Sequence, residues 1–193
     1  MIKKALFLSV FGIILISCSS FVRLREENFT KTLSKNLIEN GDFEIYQEQI
    51  GTAYPGWILD KNPTDRVAID TLRSFSGQNS LKISQPSQEM QLVSKPFNTN
   101  HRNVYGLKIS AKSILKKVPV TVHFLTFSEN GKIVSKYYDN IVIDTKWQTY
   151  SLISDYLKVN SEFGRIFLTI PQNDSVILLD TIECFIIDSH QKK

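Results

Sequence analysis

The side chains that most often carry catalysis are sparse along this sequence of 193 residues. The three histidines, His101, His123 and His190, have no short spacing of the kind that places two metal ligands on one helix face. Ser113 and Lys116 fit a Ser-x-x-Lys pattern, but they lie beside a predicted β turn, whereas that pattern works at a helix start with further motifs. Carboxylates could form a glycosidase pair, yet their spacing identifies none. An enzyme is therefore the least favoured class.

The strongest local pattern lies at the amino terminus. Lys3 and Lys4 precede an apolar run over residues 5–16, and the small residue Ser17 leads to Cys18. A cationic start, a short apolar stretch and a small-residue exit are typical of a signal peptide. The run is shorter than the roughly 20 residues that a helix needs to cross a bilayer core, so it indicates a leader rather than a permanent span.

The segment Leu15-Ile16-Ser17-Cys18 resembles the bacterial lipobox, in which a cysteine after a small residue is lipidated before cleavage. This resemblance implies a signal peptide over residues 1–17 and a membrane anchor on Cys18, since several acyl chains together hold a protein firmly. Ser19 follows where, in some bacteria, Asp would signal inner-membrane retention, so an outer-membrane location at the cell envelope is favoured. The alternative is an ordinary secretory signal that happens to contain a cysteine.

Removal of the leader changes what composition implies. Loss of Lys3 and Lys4 takes the formal net charge from +4 to +2, which leaves no basis for nucleic-acid binding. Cys184 would be the one cysteine left after lipidation of Cys18, so no intramolecular disulfide is expected despite an oxidising compartment. The remaining length of roughly 175 residues suits one domain with its own core.

Two flanking segments are polar. Residues 18–35 carry the lipidated cysteine and a charged tether, for which a short amphipathic helix on the membrane is the alternative. Residues 189–193 form a polar tail. The folded domain is therefore predicted over residues 36–188.

The domain itself shows an all-β pattern. Short runs rich in Val, Ile, Phe, Tyr and Thr alternate with turn residues, and no helical period persists. The candidate strands are Asp42–Tyr46, Gly56–Leu59, Arg66–Asp70, Ser80–Ser84, Glu89–Ser94, Asn103–Lys112, Val118–Phe127, Lys132–Tyr138, Trp147–Ile153, Arg165–Ile170 and Val176–Ile187. So many short strands in this length favour a two-sheet sandwich.

The clearest hairpin joins Val118–Phe127 to Lys132–Tyr138 through a turn that ends in Asn130-Gly131, which readily supplies the positive φ angles of a tight return. Alternation in the first arm places Val118, Val120, Val122 and Phe124 on one face and Thr121 and His123 on the other. This pattern predicts one dry face and one wetter face.

Five ordered motifs carry a further resemblance. They are Asn36-Leu37-Ile38-Glu39-Asn40-Gly41-Asp42-Phe43-Glu44, Pro55-Gly56-Trp57, Ser76-Gly77-Gln78-Asn79-Ser80-Leu81, Trp147-Gln148-Thr149-Tyr150 and Leu179-Asp180-Thr181-Ile182. Together they resemble a carbohydrate-binding module of the galactose-binding-like type. The resemblance implies a jelly-roll β-sandwich, often with a structural Ca²⁺ and a sugar-binding cleft, and it does not imply catalysis.

The resemblance assigns a calcium site to Glu44 and Asp180, with oxygens from the loop around Gly77 and Asn79. Calcium requires several oxygen ligands with net negative charge, which carboxylates and backbone carbonyls supply. The alternative is that Glu44 is a surface charge and Asp180 is bound to neighbouring backbone, because a buried carboxylate needs a partner.

A sugar site needs flat apolar faces and a few fixed polar groups. The candidates are Tyr54, Trp57, Lys108, His123, Tyr137 and Tyr138. Tyr137 and Tyr138 point to opposite faces, so at most one can line a given cleft. A core position for Trp57 and a surface or hydrogen-bonded role for His123 are the alternatives.

These patterns predict a noncatalytic, lipid-anchored sandwich that binds a polysaccharide or glycoconjugate at the cell envelope. The main alternative is a structural or protein-interaction lipoprotein that keeps the sandwich without a sugar site. A polysaccharide-active enzyme comes last, and it would require two carboxylates or a His–Tyr pair facing each other in a groove.

Overall fold

The computed structural model describes residues 19–20, 22–23, 35–45, 53–60 and 66–189. The predicted signal peptide, the lipidation site Cys18 and residues 190–193 of the predicted tail lie outside these ranges. The described chain forms fourteen β-strands and no α-helix, so no described helix has the length and apolar character to cross a membrane. The predicted all-β class is confirmed.

The strands, numbered in chain order, form two sheets. Sheet A contains, in spatial order, β1 (Ser19–Ser20), β11 (Ile133–Ile143), β10 (Val118–Phe127), β13 (Phe163–Ile170), β7 (Met90–Ser94), β4 (Trp57–Asp60) and β3 (Ala53–Tyr54), and β8 (Phe97–Asn98) pairs with the start of β13. Sheet B contains β2 (Val22–Arg23), β12 (Gln148–Ile153), β9 (Asn103–Ser113), β14 (Val176–Ser189), β6 (Ser80–Ser84) and β5 (Val67–Asp70). The pairs within both sheets are antiparallel except β1–β11, which is parallel.

The core lies between the two sheets because each long strand alternates buried and partly exposed residues. In β10, Val118, Val120, Val122 and Phe124 are buried, whereas His123 is partly exposed on the other face. The predicted dry and wetter faces are therefore confirmed, and the jelly-roll sandwich class is supported by the solved structures described below. Each sheet thus presents one outer face.

The β10–β11 hairpin forms as predicted. Its turn is closed by the Gly131 amide on the Ser128 carbonyl (2.8 Å) and the Ser128 amide on the Lys132 carbonyl (2.9 Å). Gly131 has φ +74°, a left-handed conformation that glycine adopts without steric cost. Strand β11 runs on to Ile143, beyond the predicted end at Tyr138, and so provides a long edge for sheet A.

The amino-terminal side of the domain differs from the prediction. Residues 42–45, predicted as part of a strand over Asp42–Tyr46, form a turn in which Phe43 has φ +58°. Tyr46 lies outside the described residues. The turn directs the Phe43 ring into the core, where it is fully buried. Strands β1 and β2 lie within the segment predicted as a tether.

Candidate functional site

Trp57 is a core residue in this structure. It is 0% exposed, its ring stacks on Phe43 with centroids 5.8 Å apart, and its Nε1 donates to the Asn40 carbonyl (3.1 Å). A ring whose two faces are covered by protein presents no surface to a sugar. The sequence-based assignment of Trp57 to a ligand site is therefore replaced by a structural role.

Tyr54 and Tyr137 are buried for the same reason. The Tyr54 hydroxyl donates to the Val67 carbonyl (2.6 Å), which links the edge of sheet A to sheet B. The Tyr137 hydroxyl donates to the Tyr156 carbonyl (3.0 Å). Each phenol has a protein partner, as buried tyrosines usually do, so these two residues also leave the candidate sugar site.

Lys108 lies on the outer face of sheet B, away from the other candidates. It is directly opposite Glu183 on β14, and its Nζ lies 5.8 Å from the centroid of the Phe185 ring. Such a cation–π contact favours a structural role for the ammonium group. Lys108 therefore cannot share a site with His123 or Tyr138, which lie on the other sheet.

His123 and Tyr138 are brought together on the outer face of sheet A. His123 lies directly opposite Tyr138 on β11 and directly opposite Phe167 on β13. The same row continues through Val93 on β7 to Ile58 on β4. At ~4.8 Å per strand the three rings of Tyr138, His123 and Phe167 span roughly 10 Å, and Val93, which is 5% exposed, separates them from Ile58. We call these five residues the aromatic row.

The rings of the aromatic row are accessible. Tyr138, His123 and Phe167 are each partly exposed, and Ile58 is 37% exposed. The His123 and Tyr138 rings lie 6.1 Å apart with an interplanar angle of 32°. Because the register of three strands holds them, these rings form a fixed apolar strip.

A polar row runs parallel to the aromatic row, two residues along each strand. Its members are Asn140, Thr121, Thr169, Gln91 and Asp60. Thr121 donates to Asn140 Oδ1 (2.7 Å), and Gln91 donates to Thr169 Oγ1 (3.3 Å). Amide, hydroxyl and carboxylate groups thus line one side of the apolar strip.

The other side of the strip is cationic. Lys136 and Arg165 both lie directly opposite Leu125, one on each neighbouring strand. The Lys136 Nζ lies 6.0 Å from the centroid of the Tyr138 ring. Two positive charges therefore flank the aromatic row on the side away from the polar row.

The environment of His123 keeps its imidazole neutral. Burial lowers the pKa of His123, and the nearby positive charge of Lys136 lowers it further. The Nδ1 atom is buried and makes no hydrogen bond to the described part of the protein. A neutral imidazole at ordinary pH offers one donor and one acceptor nitrogen.

Phe167 was missed by the sequence analysis, as were Lys136 and Arg165. Strand β13 alternates Arg165, Phe167 and Thr169 on one face, and this alternation was visible in the sequence. What was not visible is that β13 pairs with β10 in a register that sets Phe167 against His123. One sequence alone does not give the register of strands some 40 residues apart.

The formal catalytic pattern has a structural explanation. The Ser113 hydroxyl is buried and shares a hydrogen bond with the Ser175 hydroxyl (2.7 Å), and Lys116 pairs with Asp174. Neither side chain activates the other. Among the described residues, no cluster of three or more His, Cys, Asp or Glu could hold a metal ion.

Asp180 holds the loop between β5 and β6 against sheet B. Its Oδ2 accepts the backbone amides of Phe75 (2.7 Å) and Ser76 (2.9 Å), and its Oδ1 accepts the amide (2.6 Å) and hydroxyl (3.1 Å) of Thr181. Asp180 is 0% exposed, and this burial raises the pKa of the carboxyl group against the opposing effect of those bonds. The side chain fastens the loop to β14.

Glu44 holds the same loop from the other side. Its Oε1 accepts the amides of Gln78 (2.7 Å) and Asn79 (3.0 Å). Gly77 has φ +63°, and a Cβ at this position would collide with the Glu44 carboxylate. Glu44, Gly77, Asn79 and Asp180 are thus brought to one loop, as the resemblance implies. We call this arrangement the loop clasp.

The loop clasp does not fit calcium in the observed arrangement. Calcium needs oxygen atoms that converge with free lone pairs, whereas backbone N–H groups point at Glu44 Oε1 and at Asp180 Oδ2. These amide dipoles supply the positive charge that a cation would otherwise provide. The clasp therefore holds the loop by hydrogen bonds.

Solved structures with this fold are numerous. A family 61 carbohydrate-binding module in complex with β-1,4-galactotriose superposes with a TM-score of 0.57 at 12% identity, over 79% of this chain and 99% of that one. A xylan-binding domain of family 22 from Paenibacillus barcinonensis gives a TM-score of 0.57 at 12% identity, over 83% and 99%. The enzymatically active domain of tailspike protein 4 from bacteriophage CBA120 gives 0.59 at 17% identity.

The covered share of each chain and the sequence identity determine what these similarities show. The match covers 79% of this chain but 21% of the tailspike chain. No protein-family model matches the sequence, and no curated protein matches it. At these identities the likeness shows the fold: the domain is a jelly-roll sandwich of the kind found in carbohydrate-binding modules.

Proposed function

We propose that this chain is a noncatalytic, lipid-anchored protein of the cell envelope that binds a carbohydrate on the outer face of sheet A. The observation that carries the proposal is the aromatic row, in which Tyr138, His123 and Phe167 stand side by side and partly exposed. The fold adds support, because one of the structures with this fold is a carbohydrate-binding module in complex with β-1,4-galactotriose.

The chemistry of this face suits a sugar chain. Apolar rings accept the C–H faces of pyranose units, and fixed polar groups select hydroxyls. The aromatic row supplies the first, and the polar row supplies the second along the same direction. Lys136 and Arg165 add positive charge, which favours a chain that carries carboxylate or sulfate groups.

The experiment is a binding screen of the full-length chain against neutral and acidic polysaccharides, with His123→Ala and Tyr138→Ala as variants. We expect retention on at least one polysaccharide and a loss of retention in both variants. The matched control is Lys108→Ala, which alters the other sheet and should bind normally. Equal binding by wild type and both variants would move the site elsewhere, and no binding to any polysaccharide would refute the proposal.

The anchor is a separate part of the proposal. It rests on Leu15-Ile16-Ser17-Cys18, and outer-membrane location rests on Ser19 after the cysteine. Mass spectrometry of the amino-terminal peptide should find an acylated Cys18, and Cys18→Ser should release the protein from the membrane fraction. An unmodified Cys18 in membrane-bound protein would contradict the anchor without affecting the sugar face.

A protein-interaction role is the alternative supported by the burial of Trp57, Tyr54 and Tyr137. With those rings in the core, the exposed apolar surface of sheet A depends on fewer aromatic residues than the sequence suggests. Crosslinking in intact cells would separate the two: specific crosslinks from Tyr138 to one envelope protein, without polysaccharide retention, would favour this alternative.

An enzyme remains the third candidate because His123 and Tyr138 face each other across neighbouring strands. A neutral imidazole can act as a general base, and Lys136 and Arg165 could neutralise a uronate carboxylate. Incubation with acidic polysaccharides should nevertheless yield no unsaturated or shortened products. Product formation that disappears in His123→Ala would replace the binding proposal with a catalytic one.

A further inference from the structure

A second concave site lies on the opposite sheet, at the start of β12. It is a cavity of about 630 Å³ lined by Phe75, Trp147, Gln148, Thr149 and Tyr150. This volume lies within the roughly 300–1,000 Å³ of small-molecule sites. A depression of this size suits a ligand of one or two sugar rings. It suits a protein partner less well, because protein surfaces are flatter.

Two rings form the apolar wall of the cavity. The Phe75 and Trp147 centroids lie 5.8 Å apart with an interplanar angle of 54°. Phe75 is 47% exposed, and Trp147 is partly exposed. The tilt creates a corner in which one ring can lie under a pyranose and the other can close its side. This geometry differs from the extended strip on sheet A.

The corner is held from beneath on the Phe75 side. Asp180 Oδ2 accepts the Phe75 amide (2.7 Å), so the loop clasp fixes the residue that carries this ring. Ser110, directly opposite Asp180 on β9, faces outward yet is 0% exposed. The carboxylate predicted to bind metal thus positions an aromatic side chain.

The Trp147 side is held by the neighbouring strand. The Tyr150 hydroxyl accepts the Asp144 amide (3.1 Å) and donates to the Val142 carbonyl (2.7 Å). These bonds tie β12 to the end of β11 across the connection between the two sheets, and this connection carries Trp147. Both rings therefore belong to loops that are fixed before any ligand arrives, and such preorganisation lowers the entropic cost of binding.

The polar side chains that line the cavity, among the residues that the structure describes, are uncharged. Gln148 and Thr149 both belong to its lining, but their side chains alternate across β12. The Thr149 Oγ1 faces outward and is oriented by a hydrogen bond with the Ser110 hydroxyl (3.0 Å), whereas the Gln148 Oε1 accepts from the Tyr150 hydroxyl (3.3 Å). An amide and a hydroxyl recognise sugar hydroxyls without favouring an ionic ligand. We infer that this cavity is a second carbohydrate site, selective for a neutral sugar, on the opposite side of the sandwich from the aromatic row. The inference extends the proposed function to a site with its own ligand class.

The two tryptophans of the chain make the test direct. Trp57 is 0% exposed and Trp147 is partly exposed, so acrylamide quenching of fluorescence in the full-length chain reports mainly on Trp147. The probes are β-1,4-galactotriose and neutral xylo-oligosaccharides at millimolar concentration. We expect at least one probe to protect Trp147, and Phe75→Ala to weaken this protection at least tenfold.

The controls separate the two sites. Leu72→Ala changes the same loop at a residue that is 91% exposed and outside the cavity, so protection should persist. Tyr138→Ala, on sheet A, should also leave protection unchanged. The Trp147→Phe variant cannot be tested by quenching, because it removes the fluorescence of Trp147. Heteronuclear NMR shifts of Gln148 and Thr149 on addition of a probe provide a second measurement that does not depend on fluorescence.

The outcomes are distinguishable. Protection that survives Phe75→Ala, or a Trp147 that stays equally accessible with every probe, overturns the second site. If polysaccharide retention is lost in Tyr138→Ala and no probe protects Trp147, the sheet A proposal stands and this inference fails. If protection is lost in Phe75→Ala and retention is unaffected by Tyr138→Ala, the second site stands and the sheet A proposal fails.

Discussion

The outer faces of the two sheets arise from the same strand alternation but differ in what they present. The outer face of sheet A carries a strip of rings between polar and cationic groups. The outer face of sheet B carries the charged residues Lys82, Lys108, Lys112 and Glu183, and a loop covers part of it. The difference shows that exposure on an outer face, and not the residue type alone, makes an aromatic side chain a candidate ligand contact.

The largest expected effect tests whether Trp57 belongs to the core that both faces share. Trp57→Ala should lower the free energy of unfolding by about 3–5 kcal/mol, because it removes a fully buried ring and leaves a cavity. Trp147→Ala, at a partly exposed ring, should cost less than about 1 kcal/mol. Urea unfolding measures both. Equal losses would mean that the two rings are not in different environments.

The next effect concerns the loop that covers sheet B. Asp180→Ala should lower the free energy of unfolding by about 2–3 kcal/mol, because the Phe75 and Ser76 amides lose their acceptor. Acrylamide should then quench Trp147 more strongly, since Phe75 is released. Glu44→Gln, which keeps an acceptor oxygen at a partly exposed position, should cost less. No change in Asp180→Ala would mean that the loop is held by other contacts.

On sheet A the expected effect is on binding rather than on folding. Tyr138→Ala should weaken polysaccharide binding at least tenfold, about 1.4 kcal/mol, because it removes one end of the aromatic row. Tyr138→Phe keeps the ring and should retain most of the affinity. Affinity electrophoresis measures both variants, with thermal melts to verify folding. Similar losses in the two variants would assign the effect to the hydroxyl group instead of the ring.

His123 makes sheet A the face that responds to acid. Because the folded pKa lies below the ordinary value of 6.5, the unfolded chain takes up the proton first as the pH falls. The contribution of His123 to stability is therefore complete above 6.5 and is lost as the pH falls through 6.5 toward the folded pKa. Urea midpoints at about pH 8 and about pH 5 should differ more for wild type than for His123→Gln. Equal differences would exclude this linkage.

The smallest expected effect concerns metal at the loop clasp. A calcium ion bound at 100 times its dissociation constant would add about 2.7 kcal/mol of stability, which a chelator would remove. Because amides already occupy Glu44 Oε1 and Asp180 Oδ2, we expect the melting temperature to be unchanged by chelator or by added calcium. A calcium-dependent rise that is absent in Glu44→Gln would restore the metal site.

The local features of the fold were predictable from the sequence. Alternation in β10 and the Asn-Gly turn depend on neighbouring residues, and both are as expected. The sequence predicted a strand at Phe43, but the structure has a turn there with a positive φ. The cost of this backbone conformation is compensated by burial of the Phe43 ring against Trp57. That compensation comes from a residue fourteen positions away, which strand periodicity does not register.

The candidate sites were predictable only in part. His123 and Tyr138 were identified individually, but their alignment with Phe167 depends on a register set by the whole sheet. The ordered motifs brought Glu44 and Asp180 to one loop. They did not reveal that the loop would present N–H groups to these carboxylates, since a residue pattern does not encode which way a peptide unit points.

Strands β1 and β2 have a consequence for the proposed attachment to a membrane. Ser19–Ser20 pairs with Tyr137–Tyr138 at the edge of sheet A, and Val22–Arg23 pairs with Leu152–Ile153 at the edge of sheet B. The backbone groups of an open strand edge can pair with the edge of another copy. Confinement to a membrane surface would make collisions between copies more frequent. Strands β1 and β2, the described residues nearest the proposed anchor, occupy part of the edge of each sheet. We therefore expect them to reduce edge-to-edge pairing between copies.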